Sequence, residues 1–261
     1  LSKIFKNKLK EQTILNNFIK KNKVRPSDEA WSKSIRKDLV ADYLNIDKRN
    51  VFLIDHHRGH SYFSYYASKF REEKVLSFTI DGWGDDCNAT ISIFQKNGNY
   101  KRVYKTINCN IGRLYRYMTL LLGMKPNEHE FKVMGLAPYG KSKYSKDIIN
   151  IFKNTLYVDG LNFKYKTKPS DNYFWFQKKF EGYRFDNIAF SLQKYTEELL
   201  VKWISNSITK FKINNIVISG GVAMNIKAMG EISKIKKIKK MFVAGSGSDE
   251  SLAIGSGLVL Y

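Results

Sequence analysis

Four apolar residues, Val51 to Ile54, run into Asp55 and then into three of the chain's four histidines, His56, His57 and His60. An apolar run of that length, ended by a carboxylate, reads as a short buried strand. If a helix begins near His56, then His56 and His60 lie four apart and share one face, while His57 points elsewhere. Two imidazoles on one helical face at the mouth of a strand make a plausible half of a metal site. The plain alternative is a helix start decorated with surface histidines, and a motif this short needs support from the rest of the chain.

The 261 residues suffice for one large domain or two lobes, and 43% hydrophobic with 26% charged residues is ordinary for a globular protein. No stretch approaches the ~20 apolar residues of a membrane span. The N-terminal L-S-K-I-F-K-N-K-L-K has neither an apolar h-region nor a small-residue cleavage site, so no secretory signal is visible, and the absence of an initial Met suggests a fragment. Cys87 and Cys109 have no CxxC spacing and read as reduced thiols of a cytoplasmic protein. The net charge of +21 invites a nucleic-acid reading. Lysine is nevertheless spread through every segment among many Ile and Asn, which favours compositional drift over a dedicated RNA surface. Even the densest run, Lys234 to Lys240, alternates with Ile and reads as a connection between elements.

Taken in order, Ile4 to Ile19 carries an apolar helical stripe with a basic opposite face. Pro26-Ser27-Asp28-Glu29 then looks like a helix start, with Trp31, Ile35, Leu39 and Tyr43 on the buried face. A helix with apolar Tyr62, Phe63, Tyr66 and Phe70 follows the histidines. Val75 to Ile80 reads as a strand entering Asp81-Gly82-Trp83-Gly84-Asp85-Asp86. Ala89 to Phe94 is the next strand, and Tyr100 to Ile107 returns after a two-residue turn at Asn97-Gly98. Glycines in the first turn would let backbone N–H groups approach a phosphate, although D-G-x-G is also a common tight turn. Gly112 to Leu122 reads as a helix. Glu128 to Gly140, E-H-E-F-K-V-M-G-L-A-P-Y-G, mixes charge with Gly and Pro too densely for a core helix and reads as a functional loop. Residues 142–184 look like an insertion with a helix and a hairpin, and Asp186 to Phe211 a long amphipathic helix.

Near the C-terminus, Ile216 to Ser219 is a buried strand followed by Gly220-Gly221-Val222-Ala223-Met224-Asn225 opening a helix. Strand, glycine pair and helix is the geometry that brings a nucleotide against backbone amides, and also that of a tight βα turn. Met241 to Ala244 is a further strand, leading through G-S-G-S-D-E to a last helix. Asp249 therefore sits at a strand-to-helix junction, where a carboxylate can reach a ligand or act as an N-cap.

The motifs H-H-R-G-H, D-G-W-G-D, E-F-K-V-M-G-L-A-P-Y-G, S-G-G-V-A-M-N and S-G-S-D-E-S resemble, in that order, those of O-carbamoyltransferases of the nodulation and antibiotic-tailoring type. The resemblance covers nearly all of the chain from Val51 onward. That catalytic domain is similar to the tRNA threonylcarbamoyl-transferring proteins and belongs to the actin/hexokinase/heat-shock ATPase superfamily. The resemblance implies an α/β fold of two lobes with mixed sheets: the tail of an incomplete first lobe in residues 1–72, and the second lobe in residues 75–261. The opening of the first lobe and the domain that forms carbamoyl-adenylate are expected outside the chain, so that this piece by itself should not catalyse transfer. The family pattern has Gly two residues after the Asp, where this chain has Ser251.

The reaction implied is transfer of a carbamoyl group from carbamoyl-adenylate, made from carbamoyl phosphate and ATP, to a small-molecule hydroxyl. A divalent cation, iron first with manganese or zinc as alternatives, would be held by His56, His60 and Asp249. Lys132 is the catalytic candidate, paired with carbamoyl or phosphate oxygens. Gly220, Gly221 and Asn225 would hold adenosine, and Gly82 and Gly84 the phosphate. Neither a membrane nor a nucleic acid is among the expected partners. Two other readings remain: a tRNA threonylcarbamoyl transferase, favoured by the basic charge, and a non-enzymatic nucleotide-binding scaffold.

Overall fold

The computed structural model describes Thr13 and residues 29–261. The expected helix over Ile4 to Ile19 lies outside the described residues, as do the side chains of Trp31 and Ile35. The chain divides into two compact units, one ending at Ile54 and the other spanning Asp55–Tyr261. In the first, helix α1 (Glu29–Leu44) is followed by one turn of 3-10 helix at Lys48–Asn50. Tyr43, expected on a buried face, is 67% exposed. The run Val51 to Ile54, expected as a buried strand, is not a strand: it leads irregularly into the next helix, with Val51 buried and Phe52 and Leu53 exposed.

The second unit is built on a five-stranded mixed sheet in the order β3-β2-β1-β6-β7. Strands β1 (Val75–Gly84), β2 (Cys87–Phe94) and β3 (Tyr100–Thr106) form the expected antiparallel meander. Strands β6 (Asn215–Ser219) and β7 (Lys240–Val243) join β1 in parallel. β1 carries Val75, Leu76, Phe78 and Ile80, all fully buried, and runs through the middle of the sheet. A near-continuous apolar run is what a strand covered on both faces requires. The β2–β3 connection spans Gln95 to Asn99, because Phe94 pairs with Tyr100; it is longer than the two-residue turn expected, and Gly98 supplies its positive φ of 78°.

On one face the sheet packs against helix α7 (Phe185–Phe211), whose Trp203 stacks edge-on against Phe78 at 5.3 Å. Full burial of each such large side chain contributes roughly 1.5–3 kcal/mol. Helices α3 (Ile111–Leu121), α4 (Glu130–Leu136) and α5 (Ser142–Lys153), the hairpin β4 (Leu156–Asp159)–β5 (Asn162–Tyr165) and the short α6 (Phe174–Lys179) complete this side. The segment read as a loop from Glu128 thus contains a helix. Its start is stabilised by the Glu130 carboxylate, which accepts a hydrogen bond from the Asn127 backbone N–H at 2.7 Å. Pro138 lies in the first turn of the following 3-10 helix, Ala137–Tyr139, where a missing N–H costs nothing.

Helix α2 (His56–Ala67) packs on the sheet at β1 and β6, while α8 (Ile226–Ser233) lies against α7. Tyr65 of α2 stacks on Phe94 of β2 with ring centroids 4.0 Å apart, and Tyr62, Val75 and Val217 complete a small apolar cluster. The C-terminal helix α9 (Leu252–Leu260) is seated on α2 where Gly255 meets the Gly59 backbone, a contact too close for any side chain. That approach sets the start of α9 beside the histidines. No helix of the described residues is long and apolar enough to cross a membrane.

Candidate metal centre

Two carboxylates hold the start of the histidine helix. Asp55 is its N-cap and accepts from the Arg58 backbone N–H at 2.7 Å, while Arg102 of β3 pairs with the same carboxylate. Asp85 accepts from the His56 N–H at 2.6 Å. Negative charge at these free backbone donors favours the first turn and fixes its direction. Burial disfavours the charged Asp55 carboxylate, but Arg102 and the Arg58 amide outweigh it, and its pKa is lowered.

The four-residue spacing acts as expected: His56 and His60 share a face, with their Nε2 atoms 3.2 Å apart. Between Ile80 and Gly84 the β1–β2 register slips, with two extra residues on β1. This bulge turns Asp81 toward the imidazoles. Its Oδ2 lies 2.9 Å from His56 Nε2 and 3.1 Å from His60 Nε2, and its Oδ1 accepts from the Gly82 N–H at 2.6 Å. Asp249, in the short 3-10 turn Asp249–Ser251 before α9, brings Oδ1 to 3.6 and 3.5 Å from the same two nitrogens.

These four side chains, each offering one ligand atom within 4.8 Å of the others, form a group that could hold a metal ion. Donor atoms at bond lengths of about 2.1 Å around one ion lie about 3.0–3.4 Å from each other in octahedral or tetrahedral geometry, close to the spacings here. Hydrogen bonding points the same way. Ser251 Oγ donates to the Ser248 carbonyl at 2.7 Å, so at 3.3 Å from His60 Nδ1 it is left to accept the proton on that nitrogen. In the neutral tautomer with that proton, Nε2 is the lone pair directed at Asp81 Oδ2. A cation held between Nε2 and Oδ2, 3.1 Å apart, would satisfy both atoms. Two imidazoles and two carboxylates suit iron, manganese or zinc.

The charges respond accordingly. Burial opposes ionisation of Asp81, but its contacts with His56 and His60 and the hydrogen bond from the Gly82 amide prevail and hold its pKa far below the usual carboxylate range. Burial likewise opposes protonation of His56, yet Asp81 and, less strongly, Asp249 and Asp85 raise its pKa. Burial and then the Asp81 charge raise that of Asp249. His57 belongs to the core: its Nδ1 lies 2.7 Å from Thr79 Oγ1, its Nε2 is 3.2 Å from the Cys87 carbonyl, and burial lowers its pKa to about 4.

A cavity of about 700 Å³ opens beside the group, with Asp81 and Asp249 in its wall. Of the residues expected to bind a ligand, Gly82, Gly221 and Asn225 line it. Asn225 also supports the fold, since its side-chain oxygen caps α8 by accepting from the Ala228 N–H and its amide exchanges hydrogen bonds with Gln193. Gly84 lies outside the cavity, directly beneath the His56 ring, where a Cβ would occupy the space of the imidazole. Gly220, at a φ of 94°, packs against the Ile80 backbone and donates its N–H to the Gly247 carbonyl at 2.8 Å. Lys132 is not brought to the group; its Nζ lies 3.0 Å from His129 Nε2 on the exposed side of α4. His129, for which the sequence suggested no role, accepts from the Lys125 N–H at Nδ1 and fixes the loop before α4.

Sequence reasoning missed Asp81 as a ligand, and it missed Arg113 and Arg116, which also line the cavity. The signal for Asp81 was an acid at the end of a buried strand beside glycine. Only the bulge reveals which way it faces.

The chain matches the model of the carbamoyltransferase N-terminus over residues 6–258, and it belongs to that family. It is 31% identical to the protein MJ1051 of Methanocaldococcus jannaschii, over 91% of this chain and 47% of that one. It is 28% identical to the protein sll1178 of Synechocystis, over 95% of this chain and 43% of its relative. Nodulation protein NolNO of Sinorhizobium fredii is 24% identical over 82% of this chain and 32% of its own length. The chain thus spans less than half the length of these relatives.

Proposed function

We propose that the chain is the transfer-site part of an O-carbamoyltransferase, which moves a carbamoyl group from carbamoyl-adenylate to the hydroxyl of a small molecule. The observation that carries the reading is the convergence of His56, His60, Asp81 and Asp249 on one point in the wall of a large cavity, in a chain of the carbamoyltransferase family. An antiparallel meander continued by parallel strands suits the second lobe of an actin/hexokinase/heat-shock ATPase-like fold, with residues up to about 72 as the tail of a first lobe. The domain that makes the adenylate from carbamoyl phosphate and ATP, and the opening of the first lobe, are assigned to segments outside this chain.

In this reading the acceptor oxygen bonds to the carbamoyl carbon, the bond from that carbon to the phosphate oxygen breaks, AMP leaves with the electron pair, and the hydroxyl proton is released. A divalent metal, iron by preference, would supply Lewis-acid polarisation of the carbonyl and neutralise the leaving phosphate. His56, His60, Asp81 and Asp249 would hold it, and the Ser251 hydroxyl would keep His60 in the tautomer suited to it. Gly221 and Asn225 offer the cavity wall against which adenosine lies, with Gly220 shaping the turn behind them. Gly82 brings backbone to the phosphate, and Gly84 makes room for His56. Lys132 enters as a flexible cation next to the cavity-lining Phe131, able to meet carbamoyl or phosphate oxygens once its Nζ leaves His129.

The test supplies the full-length protein with divalent metal, carbamoyl-adenylate and a panel of hydroxyl acceptors, and follows carbamoylated product by mass spectrometry together with AMP. Acceptor-dependent AMP release that disappears in His60→Ala supports the reading. Product formation that survives His60→Ala with the metal removed refutes it.

A further inference from the structure

The cavity is lined by side chains of both charges. Beyond the metal group, Glu128, Glu130 and Glu250 also line it, but each is already engaged by its own loop. Glu128 pairs with Lys125 at 2.5 Å, Glu130 accepts from the Asn127 N–H, and Glu250 accepts from the Ser246 hydroxyl at 2.5 Å. Arg113 and Arg116 line the same cavity, and neither makes an ion pair among the described residues.

Their placement, Arg113 half-buried and Arg116 exposed, is mildly unfavourable until something negative arrives. Arg113 and Arg116 are three apart, on one face of α3, and like charges at that spacing repel. Arg113 also stands in the first turn of α3, at the positive end of the helix dipole, with no acid in that turn. The helix start is pressed against the metal-bearing turn: a Cβ on Gly112 would lie 3.0 Å from the Gly82 nitrogen. Arg113 therefore emerges one residue from the contact with the Asp81–Gly82 backbone. Its guanidinium stacks over the Trp83 ring, 4.6 Å from the centroid, which holds the planar fork in one orientation. A guanidinium that is oriented, without an ion-pair partner and facing a cavity matches a phosphoryl group, which accepts parallel N–H donors.

We infer that Arg113 and Arg116 form the anion-binding wall of this cavity and hold the phosphoryl group of its ligand, whose reacting end lies at His56, His60, Asp81 and Asp249. The identity of the ligand as an adenylate rests on the function proposed above; the anion wall itself needs only a phosphoryl group. It also adds arginine donors to a phosphate site for which the sequence offered glycine backbone and Lys132.

Calorimetric titration of the full-length protein with AMP, adenosine and pyrophosphate tests this on wild type, Arg113→Gln, Arg116→Gln and the double variant, with metal content measured on each. Wild type is expected to bind AMP at least about tenfold more tightly than adenosine, the preference that charge-assisted hydrogen bonds confer. The double variant should bind AMP and adenosine alike, with adenosine affinity and metal content unchanged and normal circular dichroism. A tenfold preference for AMP that survives in the double variant overturns the anion wall and leaves the carbamoyltransferase reading standing. Pyrophosphate binding that is lost in the variants, with no adenosine binding in wild type, keeps the wall and sinks the adenylate reading. Wild type that binds none of the three sinks both.

Discussion

The Ser251 hydroxyl lies 3.3 Å from His60 Nδ1 and spends its own proton on the Ser248 carbonyl, so the nitrogen it faces must be the protonated one. In the neutral imidazole this makes Nε2 the lone pair, aimed into the group formed with His56, Asp81 and Asp249. A partner of this kind raises the basicity of a ligating imidazole and fixes its ring. Ser251→Ala should therefore lower metal affinity about tenfold. The stability of the metal-free protein should fall by only about 1 kcal/mol, for the lost bond to Ser248. Competition with a chromogenic chelator reads the first quantity and urea denaturation the second. Unchanged affinity in the variant would show that Ser251 does not set the tautomer.

His57 separates metal binding from folding. It is fully buried, bridges Thr79 and the Cys87 carbonyl, and faces away from the metal group. His57→Ala should cost about 2–4 kcal/mol of stability, from the cavity and the orphaned partners, while retaining the metal. His56→Ala, His60→Ala and Asp81→Ala should each lose it. Elemental analysis after gel filtration distinguishes them, and equal loss from all four variants would contradict the one-face geometry.

The two cysteines give a chemical check on the core. Both are free and buried, and burial pushes the Cys87 thiol up to about 11 and Cys109 higher still. At pH 8 only about one Cys87 in a thousand is the reactive thiolate. Iodoacetamide should label neither thiol in the native protein and both in urea. Prompt labelling of Cys109 without denaturant would mean that the α3–β2 region opens far more readily than its packing implies.

Much of the fold is legible in the sequence because local rules and tertiary demands agree. The buried strands at Val75 and Ile216 announce themselves by apolar runs, and the spacing of His56 and His60 places them together on any helix. What escapes a reading of the sequence depends on register or on contacts between distant segments. Asp81 reads as a turn residue until the bulge after Ile80 turns it toward the histidines. Nothing in the helical pattern of Gly112 to Leu122 singles out Arg113 until Gly112 is found against Gly82. The helix Glu130–Leu136 is hidden by Gly135 and Pro138, because Gly135 faces open space and Pro138 falls where a helix start tolerates it. Ser251 acquires a role only once α9 docks on α2 and brings it to His60.

Three glycines near the centre should fail in three different ways when given a methyl group. Gly220 combines a φ of 94° with a Cβ position that falls on the Ile80 carbonyl, so Gly220→Ala strains the backbone itself and should unfold or severely destabilise the protein. Gly221 is milder: its Cβ would lie 3.1 Å from Asp81 Oδ1, so Gly221→Ala should fold and nudge Asp81. Gly84 isolates the site. Its backbone is not in the left-handed region, so alanine is conformationally acceptable, and the atoms in its way belong to the His56 ring. The cheapest relief is a swing of the imidazole, which takes Nε2 out of the group with Asp81. Gly84→Ala is accordingly expected to melt within a few degrees of wild type in the metal-free state, to bind metal at least about tenfold more weakly, and to leave His57 unaltered. Calorimetric melts with and without metal, together with the imidazole signals of His56 and His57 in NMR spectra, measure all three. If Gly84→Ala binds metal as tightly as wild type, the His56 ring does not need the space that glycine leaves, and His56 is not held as a ligand in the way described.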